Sequence, residues 1–144
     1  MKLTSTNDEG FQVVTVHADR LDAASAITFR KKIDAMEWNA TNPLILDLSN
    51  IHFMDSSGVW ALAHLCKANK SRAPVRMVTK NRAIRHLLRA TGFVRLIEIH
   101  ESLVDAKKSE PAEKKLSSTA AVLRLGWRLL RRRGEPGQAG SQTA

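Results

Sequence analysis

Asp55-Ser56-Ser57-Gly58 follows the apolar run Leu44-Ile45-Leu46-Asp47-Leu48 after a short turn. It precedes Val59, Leu62, Ala63 and Cys66, which recur at the three- and four-residue spacing of a helix face. A carboxylate and two hydroxyls at such a strand-to-helix corner have limited chemistry open to them. Ser56 falls at or near the N-cap, where its oxygen can accept from the first free amides. Those amides and the helix dipole also favour an anion, so a phosphoryl group on Ser56, adding about 1.5 to 2 negative charges, is tolerated there without refolding. Capping and modification are compatible, and the residues alone leave both open. Asp55 either forms the turn, orients the serine or meets a basic group on a partner. Ser57 and Gly58 read as turn geometry, because a bulky side chain at Gly58 would crowd the corner.

One turn beyond Ser56 stands Trp60, and Ser56, Trp60, His64 and Lys67 make a stripe about a quarter turn from the apolar face. Trp60 is expected to be partly exposed and, with His64, to anchor a partner, since a tryptophan at the centre of an interface often dominates its energy. Catalysis is not expected. There is no Gly-x-Ser-x-Gly elbow, phosphate-cradling glycine loop or His-Glu-x-x-His helix, and the five histidines do not cluster at ligand spacing. His64 lies eight residues past Ser56, about 12 Å along a helix at 1.5 Å per residue, beyond the reach of a general base. No metal and no cofactor is implied. The single cysteine, Cys66, cannot form an internal bridge and sits on the apolar face, where it reads as a buried thiol.

The elements that must position this corner follow from periodicity. Pro43 opens the Leu44–Leu48 strand, whose unbroken apolar start predicts burial on both faces. Phe11 to Ala18 is rich in Val and Thr and reads as a strand, with polar Met1 to Gly10 before it as an edge strand. Asp22 is an N-cap for a helix with Ala26, Phe29, Ile33 and Met36 on its buried stripe, while Arg30, Lys31, Lys32 and Asp34 turn away. As a cap Asp22 needs no further role. Asn39 to Pro43 ends that helix. After the Ser56–Asn69 helix come a short strand over Val75–Val78 and a helix capped by Asn81 with Ile84, Leu87 and Leu88 inward. Gly92 supplies the left-handed residue past its end. A strand near Leu96–Ile99 and a short helix over Ser102–Lys108 complete the unit. Alternation of this kind predicts an α/β fold with a largely parallel, mixed sheet.

The chain has 144 residues and a formal charge of +9. Residues 1–109 hold 16 Lys and Arg against 11 Asp and Glu, and residues 110–144 hold 7 against 3, so the C-terminal tail is the more densely basic part. In the body the cations fall on outer helix faces, without interleaved aromatic residues or a groove-reading motif, which argues against nucleic-acid binding. Residues 109–119 are Lys, Glu, Ser and Pro-rich, too poor in apolar surface to fold alone, and read as a linker. Residues 120–133 set Val122, Leu125, Leu129 and Trp127 against Arg124, Arg128 and Arg131, an amphipathic basic helix suited to an anionic membrane surface or an acidic groove. Residues 134–144 read as a disordered tail. The polar N-terminus has no signal-peptide core, and no stretch of about 20 apolar residues occurs. A cytoplasmic protein, peripheral to a membrane if the tail docks there, is the expectation.

Three segments in this order resemble a known pattern: Arg20-Leu21-Asp22-Ala23-Ala24-Ser25-Ala26; Leu46-Asp47-Leu48 through Phe53-Met54-Asp55-Ser56-Ser57-Gly58; and Ala83-Ile84-Arg85-His86-Leu87-Leu88 leading to Thr91-Gly92-Phe93. Over residues 1–108 the chain resembles a STAS domain, most closely the bacterial anti-sigma factor antagonists. The resemblance implies a small mixed sheet with helices packed against it. It also implies a partner-switching role in which the first serine of Asp-Ser-Ser-Gly, here Ser56, is phosphorylated by a kinase that is also the anti-sigma factor and is restored by a serine phosphatase. It places Asp55 beside the acceptor and the Asp22 loop near the same surface. Trp60 departs from the pattern, which usually has a small residue there. Other STAS domains serve anion transporters or lipid-transport ATPases, so the runner-up reading is a subunit of a membrane-associated transport complex docked through residues 120–133.

Overall fold

The computed structural model describes residues 1–69, 71 and 73–108. The polar N-terminus does form a strand, β1 (Lys2–Asp8), which turns through Glu9 and Gly10 into β2 (Phe11–His17). Both turn residues have positive φ, 51° and 85°, as a two-residue type I′ hairpin requires, and the strands pair in register from Lys2↔His17 to Asp8↔Phe11. There follow β3 (Arg20–Leu21), α1 (Ala23–Ala35), β4 (Leu44–Asp47), β5 (Phe53–Met54), α2 (Ser56–Ala68), β6 (Val75–Val78) and α3 (Arg82–Ala90). A short 3-10 turn, β7 (Ile97–His100) and α4 (Leu103–Lys108) end the described chain.

The main sheet has the order β1-β2-β4-β6-β7. Only β1 runs antiparallel to its neighbour; the other pairs are parallel. This is the mixed α/β sheet that the alternation of elements predicts. On one face Val14, Val16, Leu44, Leu46, Val75 and Met77 pack under α1, α2 and α3, against Phe29, Ile33, Leu62, Leu65 and Leu88. On the other, Val13, Ile45 and Val78 are covered by Ala106 of α4, with Phe11 and Leu103 at the margin. Leu44, Ile45 and Leu46 are therefore buried whichever way they point, as their unbroken apolar run predicts.

Arg76 stands in the middle of β6, a strand otherwise made of Val and Met. It is 1% exposed, on the α4 side of the sheet. Its Nη1 donates to the Ala106 carbonyl at 2.5 Å, its Nε lies 3.8 Å from Glu98 Oε1, and its guanidinium sits 5.0 Å from the Phe11 ring centroid. Glu98 is its directly opposed residue on β7. A cation buried this way persists because a carboxylate, a carbonyl and a ring replace its hydration.

Candidate functional site

Two loops that the sequence shows only as connections pair with each other. β3 and β5 form a separate parallel ribbon, Arg20 against Phe53 and Leu21 against Met54. Each runs directly into a helix, so the ribbon sets the N-termini of α1 and α2 side by side. The start of α3 joins them. Asn81 Oδ1 accepts from Ile84 N at 3.1 Å as its cap, while Asn81 Nδ2 donates to the His52 carbonyl at 3.1 Å, tying α3 to the β4–β5 loop. The helix starts thus gather at the carboxyl edge of the parallel strands, where α/β sheets present their ligand surfaces.

Asp55, not Ser56, is the N-cap of α2. Its backbone is extended (φ −118°, ψ −170°), and its Oδ1 accepts from Ser57 N at 2.9 Å and Gly58 N at 3.2 Å. The expected assignment is displaced by one residue because a carboxylate at this position reaches two orphan amides and adds a charge that the helix dipole favours. The anion for this helix start is therefore built in. Ser56 becomes the first helical residue, half-buried, and among the described residues its hydroxyl is engaged in no hydrogen bond. Ser57 is also half-buried, its N–H held by Asp55.

Gly58 is where the corner is tightest. A Cβ there would stand 2.3 Å from the Leu21 carbonyl oxygen and 2.6 Å from Met54 Cγ. The crowding expected at this corner is thus real, but its source is the β3–β5 ribbon rather than the turn's own backbone.

Asp22 caps α1 as expected. Its Oδ1 accepts from Ser25 N at 3.1 Å, and Ser25 Oγ accepts from Asp22 N at 2.9 Å, closing a capping box. Arg20 Nε also donates to Asp22 Oδ2 at 2.9 Å. The hydrogen bonds from the Ser25 backbone and side chain, then Arg20, hold the carboxyl below its ordinary range. Arg20 in turn lies 4.8 Å from the centroid of Phe53, a phenylalanine left 45% exposed. Beside this group a cavity of about 300 Å³ is lined by Ser49, Ile51, His52, Thr79, Lys80 and Asn81. Arg20 and Phe53 lie in the segments that carry the resemblance, but no sequence signal pairs them; what brings them together is their place opposite each other on the ribbon, two residues before the two helix caps.

The Ser56, Trp60, His64 stripe is not an exposed surface. Trp60 is 7% exposed and belongs to the main core, which corrects the expectation that it projects outward. The reason is the position of α2: every residue from Gly58 to Ala63 is buried, because the helix is enclosed by the sheet and by α1. A position a quarter turn from the core face is still inside. His64 points the same way, its Nε2 2.6 Å from Asp34 Oδ1 of α1. Of that stripe, Ser56 stays at the corner with the two caps and Lys67 is exposed, while Trp60 lies in the core and His64 meets Asp34 of α1.

Cys66 packs partly against the core, and burial pushes its thiol up to about 12, so it carries no thiolate at neutral pH. Among the described residues no group of three or more His, Cys, Asp or Glu could hold a metal ion, and no helix is long and apolar enough to cross a membrane. The expectations for the linker 109–119, the basic helix 120–133 and the tail 134–144 lie outside the described residues.

Comparison with known proteins agrees with the geometry. The anti-sigma-F factor antagonist RsfA of Mycobacterium tuberculosis is 28% identical over 108 residues, covering 72% of this chain and 84% of that protein. The crystal structure of an anti-sigma factor antagonist from Mycobacterium paratuberculosis superposes with a TM-score of 0.61 at 24% identity, over 74% of this chain and 90% of that one. A Thermotoga maritima protein assigned as an anti-sigma factor antagonist gives a TM-score of 0.58 at 16% identity, over 74% and 92%. The model of the STAS domain family matches residues 3–106, from β1 to α4. With the paired helix starts in place and that match running the length of the fold, the chain belongs to the STAS domain family.

Proposed function

We propose that this STAS domain is a regulatory protein-binding module rather than a catalyst, an anti-sigma factor antagonist in a partner-switching pathway controlled by reversible phosphorylation of Ser56. The observation that carries the reading is the corner itself: Ser56 is the first residue of α2, its hydroxyl uncommitted, between the capped starts of two helices. The names of the relatives support the kind of partner, an anti-sigma factor; that this partner is also a serine kinase, and that a serine phosphatase restores the hydroxyl, is part of the proposal. Asp55, Asp22 and Ser57 frame the binding surface, and exposed Phe53 with Arg20 supplies the anchor that Trp60 does not.

The switch follows from electrostatics. Asp55 already occupies the amides of Ser57 and Gly58, so a phosphoryl group on Ser56 is directed away from them and outward. A partner seated on the corner meets new bulk and about two negative charges. A hundredfold loss of affinity needs only about 2.7 kcal/mol.

The test is mass spectrometry of the protein isolated from its own cells, coupled to recovery of its bound partners with the Ser56→Ala and Ser56→Asp variants. The expected result is phosphate on Ser56 under some growth condition, a serine kinase recovered with Ser56→Ala, and its loss with Ser56→Asp. Phosphate never found on Ser56, together with equal partner recovery by both variants, removes the switch.

A further inference from the structure

β1 is an edge strand whose outer side pairs with nothing among the described residues. Edge strands are ordinarily blunted by proline, bulges, shortness or a run of charge. β1 has none of these: seven residues, Lys2-Leu3-Thr4-Ser5-Thr6-Asn7-Asp8, pair without interruption along β2 and carry charge only at the two ends.

The direction of its free main-chain groups is set by the hairpin. With a two-residue turn, Asp8 and Phe11 form a hydrogen-bonded pair, and such pairs alternate along an antiparallel ladder. Asp8, Thr6, Thr4 and Lys2 therefore spend their main-chain groups on β2. Leu3, Ser5 and Asn7 present theirs outward. A second strand can bond only where its own outward groups meet these.

We propose that this edge is a self-association surface, and that its occupant is β1 of a second copy of this chain, antiparallel about a two-fold axis through Ser5. That register sets Leu3 against Asn7, Ser5 against Ser5 and Asn7 against Leu3, so outward groups meet outward groups at every step. It pairs all seven residues, whereas a slip of two in either direction loses pairs. It also sets Lys2 of each copy opposite Asp8 of the other, and Thr4 opposite Thr6, both favourable cross-strand combinations. The ends of β1 are thus charge-complementary to themselves in this alignment and in no slipped one. The two five-stranded sheets would join into one continuous sheet. Asp8 also meets Lys107 of its own α4, so each Asp8 bridges two cations. The edge belongs to the five-stranded sheet, whereas the β3–β5 ribbon that leads into the Ser56 corner is a separate sheet.

Sedimentation equilibrium of the full chain across a concentration series tests this. The expected species is a reversible dimer of twice the 16.0 kDa chain. Ser5→Pro removes an outward N–H without touching the β2 ladder, a substitution that edge strands accept, and should weaken the dimer at least about tenfold while far-UV circular dichroism stays unchanged; Ser5→Ala should leave it intact. If the proline variant does not fold, Lys2→Glu, which sets like charges opposite each other, serves in its place and should also weaken association. For the register, a Thr4→Cys chain mixed with a Thr6→Cys chain should form an interchain disulfide under mild oxidation faster than either alone. A chain that stays monomeric throughout the series overturns the proposal, as does a dimer insensitive to Ser5→Pro and Lys2→Glu. A monomer that dimerises only when truncated after Lys108 also overturns it, assigning the edge to the C-terminal segment.

Discussion

At Gly58 a single missing methyl decides whether the candidate site can exist. The virtual Cβ at 2.3 Å from the Leu21 carbonyl would collide with backbone that has no rotamer to yield, so α2 must retreat from β3. Gly58→Ala is therefore expected to destabilise the domain by about 2 to 3 kcal/mol, read as a lowered urea midpoint with the m-value unchanged, although alanine ordinarily favours a helix. Trp60 gives the complementary case. Buried at 7% exposure, it should cost about 3 to 5 kcal/mol when replaced by alanine, and a stable variant with impaired partner binding would restore the exposed-anchor reading. Asp22 supplies a pH dependence. Its carboxyl is held below the ordinary value by the Ser25 amide and hydroxyl and by Arg20. A lowered pKa in the folded state means that its contribution is complete above the ordinary carboxylate range and is lost as pH falls through the lowered value. In acid titrations followed by thermal unfolding, Asp22→Asn should flatten the stability curve below pH 4 relative to the parent chain.

The elements show why part of the site was legible in the sequence and part was not. The caps Asp22 and Asn81, the β4 run and the left-handed Gly92 are local signals, since each depends on residues within four positions of itself. The β3–β5 ribbon depends on Leu21 meeting Met54, 33 positions apart, and two-residue strands have no periodicity to betray them. The burial of Trp60 likewise depends on how the rest of the core encloses α2, which is not a local property of its sequence. Arg76 is the sharpest example: one cation within a four-residue apolar strand is ordinarily a surface position, and only α4 makes it interior. α4 is held by that guanidinium and by Lys107, which pairs with Asp8 and Glu9 at the tip of the β1–β2 hairpin. The hydrogen bond to Asp8 raises the Lys107 pKa. A raised lysine pKa gives a contribution that is complete below the ordinary lysine value and is lost as pH rises through the raised one. Asp8→Ala should accordingly speed amide exchange of Leu103–Lys108 near neutral pH while leaving α2 protection unchanged, and the parent chain should approach that behaviour only at strongly alkaline pH.

For the whole molecule, the consequence of a self-capped helix start is that the fold and the proposed signal are separable. Asp55 fills the amides that a phosphate would otherwise recruit, and no described hydrogen bond involves the Ser56 hydroxyl. Neither removing that hydroxyl nor charging it should then alter the packing beneath, where Trp60, Leu62 and Leu65 are fixed by the sheet and α1. A negative charge at the first helical position is favoured by the dipole by about 0.3 to 1 kcal/mol, which offsets its repulsion from Asp55. Ser56→Asp should therefore unfold within about 0.5 kcal/mol of the parent, while its affinity for the partner recovered with Ser56→Ala falls at least tenfold, about 1.4 kcal/mol. Calorimetric unfolding and a binding titration on the same preparation decide between the two ways a mutation can silence a switch. Equal losses in both measurements would mean that Ser56 is a structural residue whose charge disrupts the corner. A loss in binding alone is the signature of a rigid surface that changes its charge and keeps its shape.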